Sequence, residues 1–280
     1  MSPGDLAGFR TAADVPEELH GDLASLLLSL ADNKRLLGMR YSEWLLGAPT
    51  LEAGIACSAM AQDEWGHSRI LYAMLKEFGR DPGRLEHDRG AEEYLNVELL
   101  DDPPDDWPGL VALNFLLDAA LSVQCESLRE SRFEPLHYKV RKLLEEEHFH
   151  FEHGRGWLAR LAQTAAGREA VERAFRPAWT ACLRWFGAPD GGLVGRLAEA
   201  GISDAGPDEL RLRWLARVGP IVHDSGVGLA QPVEGGAWRS TEDLDWSAWD
   251  AERRRSGGGG INAETLAGVR GDKNRAMLMD

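Results

Sequence analysis

The sequence predicts an all-α fold, a four-helix bundle with extra C-terminal helices and an extended irregular tail. Three observations carry this reading. Long segments keep apolar residues at helical spacing, no stretch alternates convincingly as a strand would, and the breaks between segments hold helix-stopping residues such as "GAPT" (47–50). The 280 residues, 44% hydrophobic and 28% charged, suit one large domain with an appendage.

The first helix is expected from about Glu17 to Leu46, where "GAPT" breaks it. Thr50 is the expected N-cap of a second helix running to about Phe78. Between 79 and 109, "GRDPGRLEHD" and "DDPPDDWPG" bracket a long connection with one short helical piece, as a crossover between bundle helices requires. A third helix is expected from about Leu110 to Glu130. A turn at "SRFEP" (131–135) follows, then a fourth helix from about Leu136 to Gln163. Two more are expected near 167–186 and 207–218. The helical domain thus takes residues 1–225, and the Gly-, Pro- and Trp-rich segment 226–280 is an extended tail packing its tryptophans on the body or on a partner. The "RRR" run (253–255) and Arg155 are expected on the surface.

A net charge of −15 argues against a nucleic-acid binder, which needs a basic face for phosphates. No uninterrupted apolar run approaches the roughly 18 residues of a membrane span, and the N-terminus lacks a basic start followed by an apolar core. A cytoplasmic protein is the expectation. Cys57, Cys125 and Cys182 are odd in number, far apart and without a CxxC pair, which predicts buried reduced thiols.

Chemistry concentrates in two helices. "QDEWGH" places Glu64 and His67 at i and i+3 on the second, and "EEEHFHFEHG" (145–154) places Glu147 and His150, or the rival Glu145 and His148, on the fourth. This spacing puts carboxylate and imidazole on one face, one turn apart. Residues equally distant from a hairpin turn face each other across it. About the turn at 132–133 the position opposite Glu147 is Asp118, a charge in an otherwise apolar helix that would be costly to bury alone. About the turn at 48–49 the position opposite Glu64 lies near 33, with Asp32 the nearest carboxylate. Glu43 sits about 15 Å from that level and reads as structural. One carboxylate from each of the first and third helices, with ExxH from the second and fourth, is the ligand pattern of ferritin-like di-iron carboxylate proteins. Oxygen and imidazole donors suit iron, with manganese as the alternative.

The residues also carry a family resemblance. "APTLEAGIACSAMAQDEWGHSRILYAML" and "LLDAALSVQCESLRESRFEPLHYKVRKLLEEEHFHFEHG" resemble the catalytic subunit of bacterial phenylacetyl-coenzyme A epoxidase. The family's metal ligands would fall on Glu64, His67, Asp118, Glu147 and His150, with Glu64, Asp118 and Glu147 as the catalytic carboxylates. The resemblance implies two iron ions and activation of O2 to epoxidise or hydroxylate an organic substrate, such as an aromatic acyl-coenzyme A thioester. It also implies a separate reductase component and a homo- or hetero-oligomer with a homologous subunit. One departure stands out. "NKRLLGM" places Lys34 or Arg35 near where the catalytic subunits carry a first-helix glutamate, while "LADNKRLLGMRYSEWLLGAP" resembles the non-catalytic sister subunit. A structural subunit of a multicomponent oxygenase is therefore the alternative expectation.

Overall fold

A computed structural model describes residues 8–189 and 192–272. The ends of the chain, including residues 273–280 of the expected tail, lie outside the described residues. The fold is all-α, with two short two-stranded ribbons among the described residues. The chain divides into two compact units, one made of 1–23 and 108–247, the other of 24–107 and 248–280.

In the second unit, helix α1 (Glu17–Glu43) buries Leu26, Leu27, Leu30, Leu36, Leu37 and Tyr41, the stripe that helical spacing requires of a core-facing rod. Thr50 caps α2 (Leu51–Met74) through its side chain, which accepts from the Ala53 N–H at 3.2 Å. A 3-10 turn over Leu75–Phe78 ends α2 at Gly79, whose φ of 71° favours glycine. Helix α3 (Pro82–His87) starts with Asp81 as N-cap and proline in its first turn. Around it the connection to residue 106 is irregular and held by buried arginines. Arg40 donates to the Leu100 carbonyl and to Thr265 Oγ1 at 2.9 and 2.7 Å.

The tail from 248 onward belongs to this unit and is not merely extended. Strands β3 (Trp249–Asp250) and β4 (Arg255–Ser256) pair antiparallel, and α10 (Ala263–Arg270) is capped by Asn262. The "RRR" run is not a surface feature. Arg254 and Arg255 are buried, and Arg255 pairs with Asp101. The connection's acidic "DD" supplies the counter-charge that lets a tail arginine leave water.

In the first unit, α4 (Trp107–Ala112) runs into a π turn over Leu113–Leu117 and then α5 (Asp118–Glu126). By length and composition the span Trp107–Glu126 could cross a membrane, yet 89% of its apolar window is buried inside the protein. Its residues form a core rod packed by α6 (Pro135–Leu161), α7 (Ala165–Trp185) and α9 (Pro207–Asp224). Helix α8 (Gly192–Glu199) lies between α7 and α9 in sequence. Strands β1 (Ala230–Pro232) and β2 (Trp238–Ser240) form a ribbon against α9, where Gly219 leaves room for the Trp238 ring. Trp238 of the tail thus packs against α9. The Trp179 and Trp214 rings pack tilted at 54° with centroids 4.7 Å apart, and the Trp179 indole donates to Ser240 Oγ.

Candidate metal centre

The π turn positions the acidic half of the site. The Asp118 N–H reaches back to the Leu113 carbonyl, five residues earlier, and the Trp214 indole donates to the Leu116 carbonyl at 3.0 Å. Such widened turns are rare and concentrate at functional sites. Two polar side chains on this rod meet α6. Asn114 Nδ2 donates to the His150 carbonyl at 3.1 Å, and Asp118 Oδ2 lies 3.0 Å from His150 Nδ1. The approach is close because α6 carries Gly154 at the crossing. A Cβ there would stand 2.8 Å from Asn114 Oδ1 and 3.0 Å from Phe115 Cβ.

On α6 the inward face carries Glu147, His150 and Gly154, whereas Glu145 and His148 are exposed. Burial thus places Glu147 and His150 on the inward face and leaves the rival pair at the surface. Glu147 Oε2 is 3.9 Å from His150 Nδ1 and accepts from Ser122 Oγ at 3.1 Å. Hairpin counting is off by one turn in detail: Ser122 faces Glu147, and Asp118 faces His150. Asp118, Glu147 and His150 are at most 4% exposed, and their ligand atoms lie within 4.8 Å of one another. A cavity of about 250 Å³ opens on Asp118 and Glu147, walled by Ala119, Leu144 and Phe151 and, on its polar side, by Ser122, His148 and the Glu126–Arg217 ion pair.

Two buried carboxylates and an imidazole fit a divalent cation. Carboxylates taken out of water in this way are costly to bury, and a dication is one partner that offsets the cost. Oxygen-and-nitrogen donors of this kind suit iron or manganese. Ser122 is a hydroxyl that sequence reasoning passed over. Its signal was available, since it stands one turn after Asp118 on the same face.

The second unit holds the other ExxH. Glu64 and His67 are buried, with His67 Nδ1 3.8 Å from Glu64 Oε2. The residue that α1 turns onto Glu64 is Lys34, whose Nζ lies 3.1 Å from Glu64 Oε1, both side chains fully buried. Gly38, one turn later on the same face, makes this approach possible. A Cβ there would lie 2.7 Å from the Trp65 indole nitrogen. Asp32 is engaged elsewhere. Its carboxylate accepts from Arg89 Nη1 at 2.9 Å, from Tyr72 Oη at 2.6 Å and from the Leu95 N–H at 2.7 Å, with a further contact to Arg89 Nη2. With its lone pairs committed to a buried arginine, a tyrosine and the backbone, Asp32 is an anchor between α1 and the connection, which corrects the ligand role expected of it. Burial, and then the Asp32 charge, pushes the Tyr72 hydroxyl well above its ordinary pKa, so it stays a donor. Glu43 forms an ion pair with Arg40, the structural place expected of it.

Comparison with known proteins gives a concordant result. The family model "Phenylacetic acid catabolic protein" matches residues 7–246. The chain is also similar to two different subunits of the 1,2-phenylacetyl-CoA epoxidase of Escherichia coli (strain K12). It is 27% identical to the first over 212 residues, which are 75% of this chain and 84% of that protein. It is likewise 27% identical to the second over 217 residues, which are 74% of this chain and 69% of that protein.

Proposed function

The chain belongs to the phenylacetic acid catabolic protein family, and from that premise we propose that it is a metal-carrying oxygenase whose substrate is an aromatic acyl-coenzyme A thioester. The ferritin-like helical fold is the one this family carries. The observation that supports the reading is the buried trio of Asp118, Glu147 and His150, whose two carboxylates line a cavity.

Iron bound there would supply dioxygen activation, with electrons from a separate reductase. The chain's own residues would then have distinct tasks. Asp118 and Glu147 would neutralise the cation, and His150 would donate through Nδ1. Ser122 would fix the orientation of Glu147 from behind, a contact of the kind that tunes ligand geometry. Phe151 and Leu144 would keep bulk water from the reacting atoms. Glu64 and His67 supply the second ExxH of the ligand pattern. Epoxidation of an aromatic ring, hydroxylation as the variant reaction, a cytoplasmic location and partnership with a homologous subunit complete the proposal.

A second reading, a structural subunit without chemistry of its own, draws support from the Lys34–Glu64 pair, since an ammonium stands where the catalytic members' first-helix glutamate is expected. One experiment separates the two. The iron-loaded chain is incubated with phenylacetyl-coenzyme A, dioxygen and a ferredoxin-type reductase, and the thioester is examined by mass spectrometry. The oxygenase reading expects a gain of one oxygen atom that Glu147→Gln abolishes. Unchanged thioester with metal-free protein would leave only the structural reading.

A further inference from the structure

We propose that Arg217 determines specificity: paired with Glu126 at the mouth of the cavity, its guanidinium donates to the carbonyl of a bound thioester and so selects the thioester over the free acid. This role rests on the substrate class proposed above and says how the chain recognises it.

The cavity has two unlike ends. Asp118, Ala119, Ser122 and Glu126 line it along α5, which rises about 12 Å from the first to the last of them. Asp118 and Glu147 are buried, whereas Glu126 and Arg217 are 34% and 30% exposed, so the ion pair marks the mouth. Leu144 and Phe151 supply the apolar wall. A space of about 250 Å³ falls below the roughly 300–1,000 Å³ of sites that enclose a drug-sized ligand. It admits an acyl group and leaves a bulky carrier such as coenzyme A outside. The group that then stands at the mouth is the one joining the two, the thioester.

The position of Arg217 is set by the fold. One turn earlier on α9, the Trp214 indole is tied to the Leu116 carbonyl at 3.0 Å, which fixes this part of α9 against the rod of α4 and α5. Arg217 Nη2 donates to Glu126 Oε2 at 2.5 Å. Among the described residues this is its one hydrogen bond, which leaves Nε and Nη1 to donate. Glu126 both orients the guanidinium and supplies its counter-charge. A second carboxylate arriving at Arg217 would be repelled by the first or would have to displace it. A thioester carbonyl brings no charge and accepts an N–H with the pair intact, so the pair rejects the acid as well as receiving the thioester.

The test measures binding and needs no turnover. Full-length protein loaded with ferrous iron is titrated without oxygen in a calorimeter against three probes. These are phenylacetyl-coenzyme A, the phenethyl-coenzyme A thioether, in which a methylene replaces the carbonyl, and phenylacetate. The wild-type chain is expected to bind the thioester about tenfold more tightly than the thioether, and phenylacetate not measurably. Arg217→Leu is expected to bind thioester and thioether alike, at the thioether's level. A purely structural role would weaken both by one factor and keep their ratio, and that result would overturn the proposal. Glu126→Gln is expected to gain phenylacetate binding, and no gain would overturn the part given to Glu126. Equal affinity of the wild-type chain for thioester and thioether would overturn the role of Arg217 and leave the oxygenase reading intact. Binding of neither would overturn the substrate class as well.

Discussion

At the scale of single residues, the two aspartates singled out by sequence show how much position decides. Asp118 interrupts an apolar helix and was legible as a buried charge demanding a partner, whereas Asp32 was singled out only by its distance from the hairpin turn. The sequence could not name the partner of Asp32, because Arg89 lies 57 residues away, in an irregular connection with no periodicity to read. The consequence is testable. Asp32→Asn leaves the Arg89 guanidinium buried beside a neutral amide, and breaking such a pair should cost about 3–5 kcal/mol in urea unfolding, while metal content of the folded protein is unchanged. A ligand role would instead lower metal content with little loss of stability. His153 offers a second test. Burial, with His150 adding to it, pushes its pKa from 6.5 down to about 4. Its Nδ1 lies 3.0 Å from Asn114 Oδ1. The unfolded chain takes up this proton first, so the stability contributed by neutral His153 is full above about pH 6.5 and is lost as pH falls through about 4. Unfolding free energy measured across this window should fall with pH, and His153→Gln should flatten that part of the curve.

At the scale of elements, helix existence was plain and helix detail was not. Apolar spacing, the Thr50 start signal and the "SRFEP" turn located α1, α2, α6 and α7 to within a few residues. Helix α9 continues to Asp224, past Pro220 and the expected stop at 218. Helices α8 and α10 were missed because each is eight residues long and set in glycine-rich sequence, too short for a period to declare itself. In the site, the ExxH spacing and the choice of Glu147 over Glu145 were readable. The residue that contacts Glu147 across the hairpin is Ser122, one turn from Asp118. Contact between α6 and the rod of α4 and α5 depends on Gly154. Gly154→Ala would force its methyl against Asn114 and Phe115, and overpacking of this kind should cost about 1–3 kcal/mol in thermal or urea unfolding. The same variant should weaken metal binding, because it prises Asp118 from His150.

At the scale of the whole molecule, composition bounded the answer before any site was considered. The acidic balance argued against a nucleic-acid binder and the scattered cysteines predicted reduced thiols, while apolar spacing and the ExxH pairs carried the helical and metal readings. What composition hid was the division of the tail. Its ribbon packs on α9, while the following segment is held in the other unit through Arg255 and Asp101. Ion pairs between distant segments leave no local signature. Cys57, Cys125 and Cys182 are all fully buried, and burial raises the Cys57 thiol to about 11. A thiol-specific reagent at pH 8 should therefore label none of the three in native protein and all three in urea. Labelling of any one under native conditions would mark local opening of the helix that carries it.

The widened turn before Asp118 has one more implication. It absorbs an additional residue within one coil, so removing Phe115 or Leu116 would return the rod to an ordinary α turn while the stretches on either side keep nearly the same facing. Among kindred sequences, a gap at this point would thus signal a change confined to that coil, with Asp118 and the side chains after it still turned toward α6.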